Sequence, residues 1–359
     1  MSKNIKLKNK HIKRQKSNSL REIRAKQRRQ SYLRKKRNRL IGVSELSIKN
    51  SKIKEQYEEI NFPLEFSFIE NTAQCIEAIE KIQNCLKIKK RVSLKLKNVQ
   101  KITDDAIVVL MSIIREFQLA NIDLVADKPV SEDVCKKIEQ SGIKNHVGGS
   151  VTVSKSVNRN GIYCSYSKKV QPKLSHNLIG QAAETIWGKK FSCPKVQRVL
   201  IECMANTHAH ANPQKNEHHS WWLSISHDEE NKRVSFSFVD YGIGICESIG
   251  RQKDNARFKI LFNKVLGKYK TNAEIFKSIM EGELRESRKG TGTGEKNRGN
   301  GLPSILTAMK KNDIANVKII TNNVFADLFN NNYVLIDKQF RGTFVYWELN
   351  EHCFKKNWV

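Results

Sequence analysis

The sequence has no long uncharged apolar run, and it has few acidic residues to balance its basic ones. No stretch approaches the roughly 18–20 apolar residues that span a bilayer, and the N-terminus lacks the apolar region of a secretory signal. The eight cysteines are scattered without a C-x-x-C pair, which argues against a zinc ribbon and a disulfide framework. We therefore expect a cytoplasmic, reduced protein without a membrane span.

Basic residues are concentrated at the N-terminus. The chain has a formal net charge of +29, and residues 1–40 hold 17 Lys and Arg residues against one acid, Glu22. Self-repulsion and the absence of apolar periodicity predict a disordered arm over residues 1–60. The cations within residues 3–39 could neutralise several phosphates, which predicts salt-dependent binding of nucleic acid. The alternative is a solubilising tail, or attraction to anionic lipid or ribosomes.

Residues 61–147 show a β-α-β-α pattern. Apolar residues alternate in the first strand and follow helical spacing in the first helix. The second helix has Ser131 as a candidate N-cap. The predicted elements are strands at Arg91–Leu96 and Ile122–Ala126 and helices at Ala106–Leu119 and Ser131–Ser141. This order resembles a STAS domain, the fold of anti-sigma-factor antagonists, and the resemblance implies binding of a protein partner.

The turn that carries the regulatory serine in that family falls here near Thr103-Asp104-Asp105, which has no serine. Phosphorylation at the usual position is therefore not expected. We expect the two acids to be solvated residues of a turn and a helix start. The alternative is that Asp104 imitates phosphoserine.

Residues 148–173 have the Gly, Ser and Lys content of a linker, with a short strand around 161–166. The helix predicted after it, Lys195–Ala209, carries an apolar stripe that should pack against a sheet. Glu202 and Asn206 lie at i, i+4 spacing on one flank of this stripe. A carboxylate in this position could deprotonate a water, and the Asn oxygen could bind Mg²⁺. Solvent-facing side chains without a role are the alternative.

Two predicted strands, Trp221–Ser226 and Arg233–Val239, form a hairpin around the turn Asp228–Asn231. The second strand leads into Asp240-Tyr-Gly-Ile-Gly-Ile245. Glycines after a strand permit close approach of the backbone to a planar ligand. The Asp240 carboxylate could accept a hydrogen bond from an exocyclic amine such as that of adenine.

Glycine-rich backbone precedes a further helix, Pro303–Lys310. The glycines lie in two segments, Gly290-Thr-Gly-Thr-Gly294 and Arg298-Gly-Asn-Gly-Leu302. Glycine-rich backbone at a helix N-terminus can bind phosphate. Predicted strands at Val317–Thr321 and Phe340–Leu349 follow.

Histidines at positions 208, 210, 218, 219 and 227 suggest a zinc site as an alternative, but they lack cysteine partners.

Glu202 and Asn206 on a helix, Asp240-x-Gly-x-Gly-Ile245 after a strand, Gly299-x-Gly-Leu302 at a helix start and Gly342-Thr343 in the last strand follow one another in this order. These four motifs resemble the GHKL superfamily of gyrase, heat-shock chaperone, histidine-kinase and mismatch-repair ATPases. The resemblance implies an α+β protein whose residues 174–350 form an α/β sandwich that binds ATP and Mg²⁺, followed by a tail at 351–359. It implies Glu202 as catalytic base, Asn206 as magnesium ligand and Asp240 as the residue that recognises adenine. The remaining implied nucleotide contacts are His210, Gly242, Gly244, Ile245, Gly292, Gly294, Arg298, Gly299, Gly301, Leu302 and Thr343.

Three functions follow from the resemblance. The first is an ATP-hydrolysing regulator in bacterial stress signalling or phage defence, whose nucleotide state is coupled to the STAS-like domain and the basic arm. The second is a protein serine/threonine kinase of the anti-sigma-factor type, to which the spacing of Glu202, Asn206 and His210 is similar. The third is a non-enzymatic nucleic-acid-binding protein with structural ATP. Homodimers are common in the superfamily, so a homodimer is also open.

Overall fold

The strands belong to three sheets in this computed structural model, which describes residues 57–141, 162–167, 169–209, 220–251, 265, 267–283 and 301–353. Helices and strands both occur, so the predicted mixture of the two is confirmed. The strand pairs are partly parallel and partly antiparallel. The elements along the chain are β1 (Tyr57–Asn61), β2 (Glu65–Phe66), α1 (Thr72–Lys87), β3 (Arg91–Lys95), β4 (Lys101–Ile102), α2 (Asp104–Leu119), β5 (Leu124–Ala126), α3 (Glu132–Gln140), β6 (Ile162–Ser167), α4 (Pro172–Trp187), α5 (Pro194–Ala209), β7 (Trp221–Asp228), β8 (Arg233–Asp240), α6 (Ile245–Arg251), α7 (Asn272–Glu281), α8 (Gly301–Lys310), β9 (Ala315–Asp327) and β10 (Asn332–Asn350).

The largest sheet has five strands in the order β6-β7-β8-β10-β9, and each pair of adjacent strands is antiparallel. The hairpin of β7 and β8 is confirmed, and its turn is closed by Asp228, whose Oδ1 accepts from the Asn231 amide at 3.0 Å. The short strand expected within the linker is also present. It is β6, which pairs along its length with β7 and so extends the sheet.

Alternate side chains of the sheet pack on one face against α4, α5, α7 and α8. Successive residues of a strand point to opposite faces, and the strand residues that line this core include Leu223, Phe236, Phe238 and Trp347. The ring of Phe236 stacks on that of Trp347, with centroids 5.1 Å apart. This face therefore carries the core of the segment that contains the predicted GHKL motifs.

The opposite face of the same sheet packs against α1 and α2. Trp222, Val239, Phe344 and Tyr346 contribute to this second core together with apolar residues of the two helices. Phe68 contacts Phe344 edge to face, with a centroid separation of 4.8 Å. The described residues of segments 61–147 and 174–350, which were predicted as separate domains, thus share a core and belong to one compact unit.

Segment 61–147 contains the predicted strands and helices with small shifts at their ends. Ser131 is the N-cap of α3, as predicted, and its side chain accepts from the Val134 amide at 3.4 Å. Helix α1 adds an element that the sequence analysis did not assign. Strands β3 and β5 form a three-stranded sheet with β1, in the order β1-β3-β5, and β1 begins at Tyr57, within the stretch predicted as a disordered arm. That prediction is therefore wrong for residues 57–60. Strands β2 and β4 form a separate parallel pair.

Asp104 and Asp105 are the first two residues of α2, and the prediction that both are solvated is wrong for Asp105. Its side chain is buried, and its Oδ2 accepts from the amides of Phe68 at 2.6 Å and Ile69 at 3.1 Å. Burial raises the pKa of this carboxyl, and the hydrogen bonds oppose that shift. The donors come from a segment more than thirty residues earlier, so local sequence could not indicate them. Asp104 forms an ion pair with Lys137 at 2.8 Å.

Candidate functional site

Helix α5 presents its apolar stripe to the sheet, as predicted. The buried members of the stripe are Val196, Val199, Leu200, Cys203, Met204 and Thr207. Glu202 and Asn206 lie at the edge of this stripe, where both are partly exposed. The Glu202 side chain keeps 18% of its surface exposed, and its Oε1 accepts from Arg198 Nε at 3.4 Å. Among the described residues, the Glu202 carboxylate therefore receives only this long contact from the preceding turn.

Asp240 is the last residue of β8, and its side chain points to the face that packs against α5. Alternation along the strand sets this direction, because Phe236 and Phe238 lie in the same core. The Asp240 side chain is 7% exposed. Its Oδ1 accepts from the Gly242 amide at 2.9 Å, and its Oδ2 accepts from the Thr207 hydroxyl at 3.4 Å.

The carboxyl of Asp240 has a pKa raised to about 6, because burial disfavours its charged form. Hydrogen bonds from the Gly242 amide, the Thr207 hydroxyl and the Thr343 amide oppose the shift. These three donors are uncharged, and among the described residues no ion pair involves Asp240. The site therefore contains a buried acceptor that would be stabilised by a further N–H donor.

The loop after Asp240 is closed by two polar residues of β9. Oγ1 of Thr321 accepts a hydrogen bond from the Ile245 amide at 2.9 Å, and Oδ1 of Asn322 accepts one from the Cys246 amide at 3.0 Å. Asn322 also donates from Nδ2 to the Ile243 carbonyl at 3.0 Å. Both side chains are buried. The start of α6 is thus fixed to the end of the sheet.

Two glycines at this point are required by close approach of the backbone. A Cβ on Gly244 would lie 2.5 Å from Oδ1 of Asn322, and Gly244 has a φ of 79°. A Cβ on Gly342 would lie 2.0 Å from the carbonyl oxygen of Asp240. Thr343, the next residue, pairs with Asp240 across β10 and β8. The structure therefore brings Asp240, Gly242, Gly244, Ile245 and Thr343 together at the end of the sheet.

Helix α8 packs against α5, which places the predicted Gly301–Leu302 segment on a neighbour of the Glu202 helix. Leu302 is partly buried against the core, and Pro303 is the third residue of the helix. Five predicted contacts and the basic arm at 3–39 lie outside the described residues. Those five are His210, Gly292, Gly294, Arg298 and Gly299.

The GHKL resemblance also predicts a nucleotide lid between residues 250 and 290, and part of this stretch is the regular helix α7. Thr271 and Glu274 form a capping box at its start, in which each side chain accepts from the other's backbone amide. Phe276 and Met280 of this helix are buried in the core. The segment Phe258–Leu266 lies outside the described residues except for Val265.

Three residues of the site were not assigned a role from the sequence, namely Thr207, Thr321 and Asn322. Thr207 lies in the apolar stripe of α5, and a threonine among apolar residues on a buried face indicates a hydrogen-bond partner. Thr321 and Asn322 interrupt the apolar pattern of β9, and Asn322 has a φ of 52°. Asparagine is enriched at such backbone angles.

The zinc alternative finds no support at His227, which hydrogen-bonds Thr185 Oγ1 through Nδ1 at 2.7 Å. Burial lowers the pKa of this imidazole. Within the described ranges no cluster of three or more His, Cys, Asp or Glu side chains could hold a metal ion. In the same ranges no helix is both long and apolar enough to cross a bilayer. No protein-family model matches the chain, and no curated protein matches it.

Proposed function

We propose that the protein binds ATP with Mg²⁺ at the Asp240 site, as a member of the GHKL superfamily, and hydrolyses it. The observation that carries the proposal is the buried Asp240 carboxylate. It lies at a strand end among uncharged donors, beside the helix that carries Glu202 and Asn206. A carboxylate in this setting can accept the exocyclic N–H of adenine, which is a neutral donor on a flat ring.

The backbone around Asp240 fits such a ring. Gly242 and Gly244 carry no side chain that would cover the loop, and the Thr321 and Asn322 bonds hold the loop in one conformation. A preformed site saves the entropy of ordering a loop on binding. The adenine end of the site would therefore be rigid before the nucleotide arrives.

The phosphate end would lie along α5, where Glu202 and Asn206 are one helical turn apart. Glu202 would accept a proton from the attacking water, and its partial exposure leaves room for that water. Asn206 would bind Mg²⁺ through its side-chain oxygen, and the ion, when bound, supplies charge that neutralises phosphate oxygens. Backbone amides of the Gly301–Leu302 segment would contact phosphate.

The order of elements also supports this proposal. A helix with Glu and Asn, a hairpin that ends in Asp-x-Gly-x-Gly, a glycine-rich helix start and a closing pair of strands follow one another along the chain. The STAS-like segment packs on the other face of the sheet. Changes in nucleotide state could therefore reach it through the shared core, which fits a cytoplasmic regulatory protein.

The experiment is incubation of the purified full-length protein with Mg²⁺ and γ-labelled ATP. Release of free phosphate supports hydrolysis, and transfer of the label to protein indicates a kinase instead. Glu202→Gln should bind ATP normally and lose turnover by about 100-fold or more, because it removes the base. Gln197→Ala on the same helix is the matched control, because its side chain donates to the Pro172 carbonyl and not to Glu202, and it should keep turnover within a few-fold. Absence of ATP binding by the wild-type protein refutes the proposal.

We also propose nucleic-acid binding by residues 3–39, on the strength of their charge alone. Binding through phosphate contacts weakens steeply with salt and shows little dependence on base sequence. Fluorescence anisotropy with two unrelated oligonucleotides from 50 to 300 mM salt tests this. A salt-independent affinity would contradict it.

A further inference from the structure

Tyr241 follows Asp240 directly and points to the opposite face of the sheet. Asp240 contacts Thr207 on α5, while the Tyr241 hydroxyl lies 2.5 Å from Ser112 Oγ on α2. The Tyr241 ring also lies edge to face with Phe340, at a centroid distance of 6.0 Å. Two consecutive residues thus connect the loop to helices on the two sides of the sheet.

The direction of the Tyr241–Ser112 hydrogen bond can be assigned. Ser112 Oγ lies 2.6 Å from the carbonyl oxygen of Val109, which can only accept, so the serine proton is committed there. Tyr241 must therefore donate to Ser112. Burial raises the pKa of the Tyr241 hydroxyl far above its usual value, so this donor keeps its proton at any physiological pH.

Helix α2 is a rigid anchor for this contact. Ser112 is fully buried, and the helix packs against both β7 and β8. A second hydrogen bond joins its first turn to the sheet, from Ser224 Oγ to the Asp104 carbonyl at 3.4 Å. The two contacts are eight residues apart, which is about 12 Å along a helix. Helix α2 is thus held to the sheet near its start and at its middle.

We propose that Tyr241 is a positioning residue, which fixes the loop 241–246 to Ser112 and so makes nucleotide affinity depend on the place of α2. Tyr241 touches no ligand in this scheme and acts through Asp240 and Gly242 on either side of it. The part that concerns nucleotide rests on the function proposed above. By reciprocity, a partner that shifts α2 changes nucleotide affinity by the same factor as nucleotide changes affinity for that partner.

The test uses Tyr241→Phe, Ser112→Ala and the double variant of the full-length protein. Tyr241→Phe removes one hydroxyl, and Ser112 keeps its bond to Val109, so no buried donor is left unpaired. The control is Tyr346→Phe, which removes another buried hydroxyl from the same core, one that contacts Glu348. Amide hydrogen exchange of Ile245 and Cys246 without ligand reports loop position, and titration with a non-hydrolysable ATP analogue reports affinity.

We expect Tyr241→Phe to speed exchange of the two amides by about 3- to 10-fold, the range for one hydrogen bond. Ser112→Ala should speed exchange at least as much, because it leaves the Tyr241 hydroxyl without its acceptor. The double variant should show no more than either single variant, because both remove the same interaction. ATP analogue affinity should fall by a similar factor, while Tyr346→Phe changes neither quantity. A purely structural role would alter global unfolding without this selective change in the loop.

Exchange rates in Tyr241→Phe equal to those in Tyr346→Phe would overturn the inference. So would additive effects of the two single variants. Failure of the wild-type protein to bind the ATP analogue would refute the proposed function instead, and exchange in the ligand-free protein would still decide the role of Tyr241.

Discussion

The hydroxyl of Thr207 lies 3.4 Å from Oδ2 of Asp240, and 33 residues separate the two in sequence. The same hydroxyl lies 3.2 Å from the Cys203 carbonyl within α5, so its single proton is shared between these two acceptors. The contact joins the helix that carries Glu202 and Asn206 to the strand end that carries Asp240. It therefore sets the relation between the two halves of the proposed nucleotide site.

Replacement of Thr207 by Val removes this donor and keeps the shape of the side chain. The Thr207 hydrogen bond lowers the pKa of Asp240, so its loss should move that pKa upward. We expect nucleotide affinity at pH 7 to fall by about 3- to 10-fold, the equivalent of one hydrogen bond. Titrations between pH 5 and 8 should show the midpoint of the binding profile shifted to higher pH.

The control for this change is Thr185→Val, which removes a helix threonine hydroxyl that contacts His227 away from the site. It should leave the pH profile of nucleotide binding unaltered. A Thr207→Val profile that coincides with that of the wild-type protein would show that the Thr207 contact has no influence on Asp240.

Asp240→Asn should alter the pH dependence of stability in a defined direction. The pKa of Asp240 in the folded protein, about 6, lies above the ordinary value of 3.8, so the native state binds a proton more tightly than the unfolded state does. Protonated Asp240 therefore contributes to the free energy of unfolding of the wild-type protein below pH 4, and this contribution is lost as the pH rises through about 6. Asparagine has no such loss.

The free energy of unfolding of Asp240→Asn, minus that of the wild type, should therefore increase by about 1–3 kcal/mol from pH 4 to pH 7. Urea denaturation at several pH values measures this difference, in which contributions of other acids such as Asp105 cancel. A constant difference across the range would contradict the raised pKa. The same variant should lose nucleotide binding, because the amide presents a donor where an acceptor is needed.

Local patterns predicted the elements that carry the motifs. The stripe of α5, the hairpin of β7 and β8 and the Ser131 cap depend on residues within a few positions of each other, and all are confirmed. Helix α1 had a usable pattern in Cys75, Ile76, Ile79 and Ile82, which are buried at helical spacing, but no element was assigned there. The Asp240 loop was predictable because its glycines follow directly in sequence.

Contacts between distant segments could not be predicted in this way. The pairs Ser112–Tyr241 and Ser224–Asp104 join residues more than a hundred positions apart. One sequence feature did indicate that both sheet faces are covered. Trp221 and Trp222 are consecutive and both buried, and adjacent strand residues point to opposite faces, so each needs a core of its own.

Asn322→Ala should destabilise the protein by about 2–4 kcal/mol. It removes two buried hydrogen bonds to the loop at Cys246 and Ile243, and it places alanine at a φ of 52°. The matched control is Asn331→Ala, since Asn331 has a φ of 51° in an exposed turn. That change should cost only the backbone strain, about 1–2 kcal/mol. Equal losses in urea denaturation would show that the Asn322 side chain adds no stability.

Gly342→Ala should be the most disruptive single change at this site. Its Cβ would meet the Asp240 carbonyl oxygen at 2.0 Å, and the contact is with backbone of the paired strand, which cannot rotate away. We expect a loss of about 4 kcal/mol or more, beyond the range of ordinary substitutions. Gly188→Ala is the control, because Gly188 also has a positive φ, 73°, but an added Cβ there would have nothing within 4 Å. It therefore measures the cost of the backbone angle without a steric contact. Gly188→Ala should lower the free energy of unfolding by only about 1–2 kcal/mol. If the two variants had the same thermal midpoint, β8 and β10 would separate at little cost. Because such separation would displace Asp240 itself, the same comparison measures how firmly the sheet holds the proposed adenine-binding carboxylate.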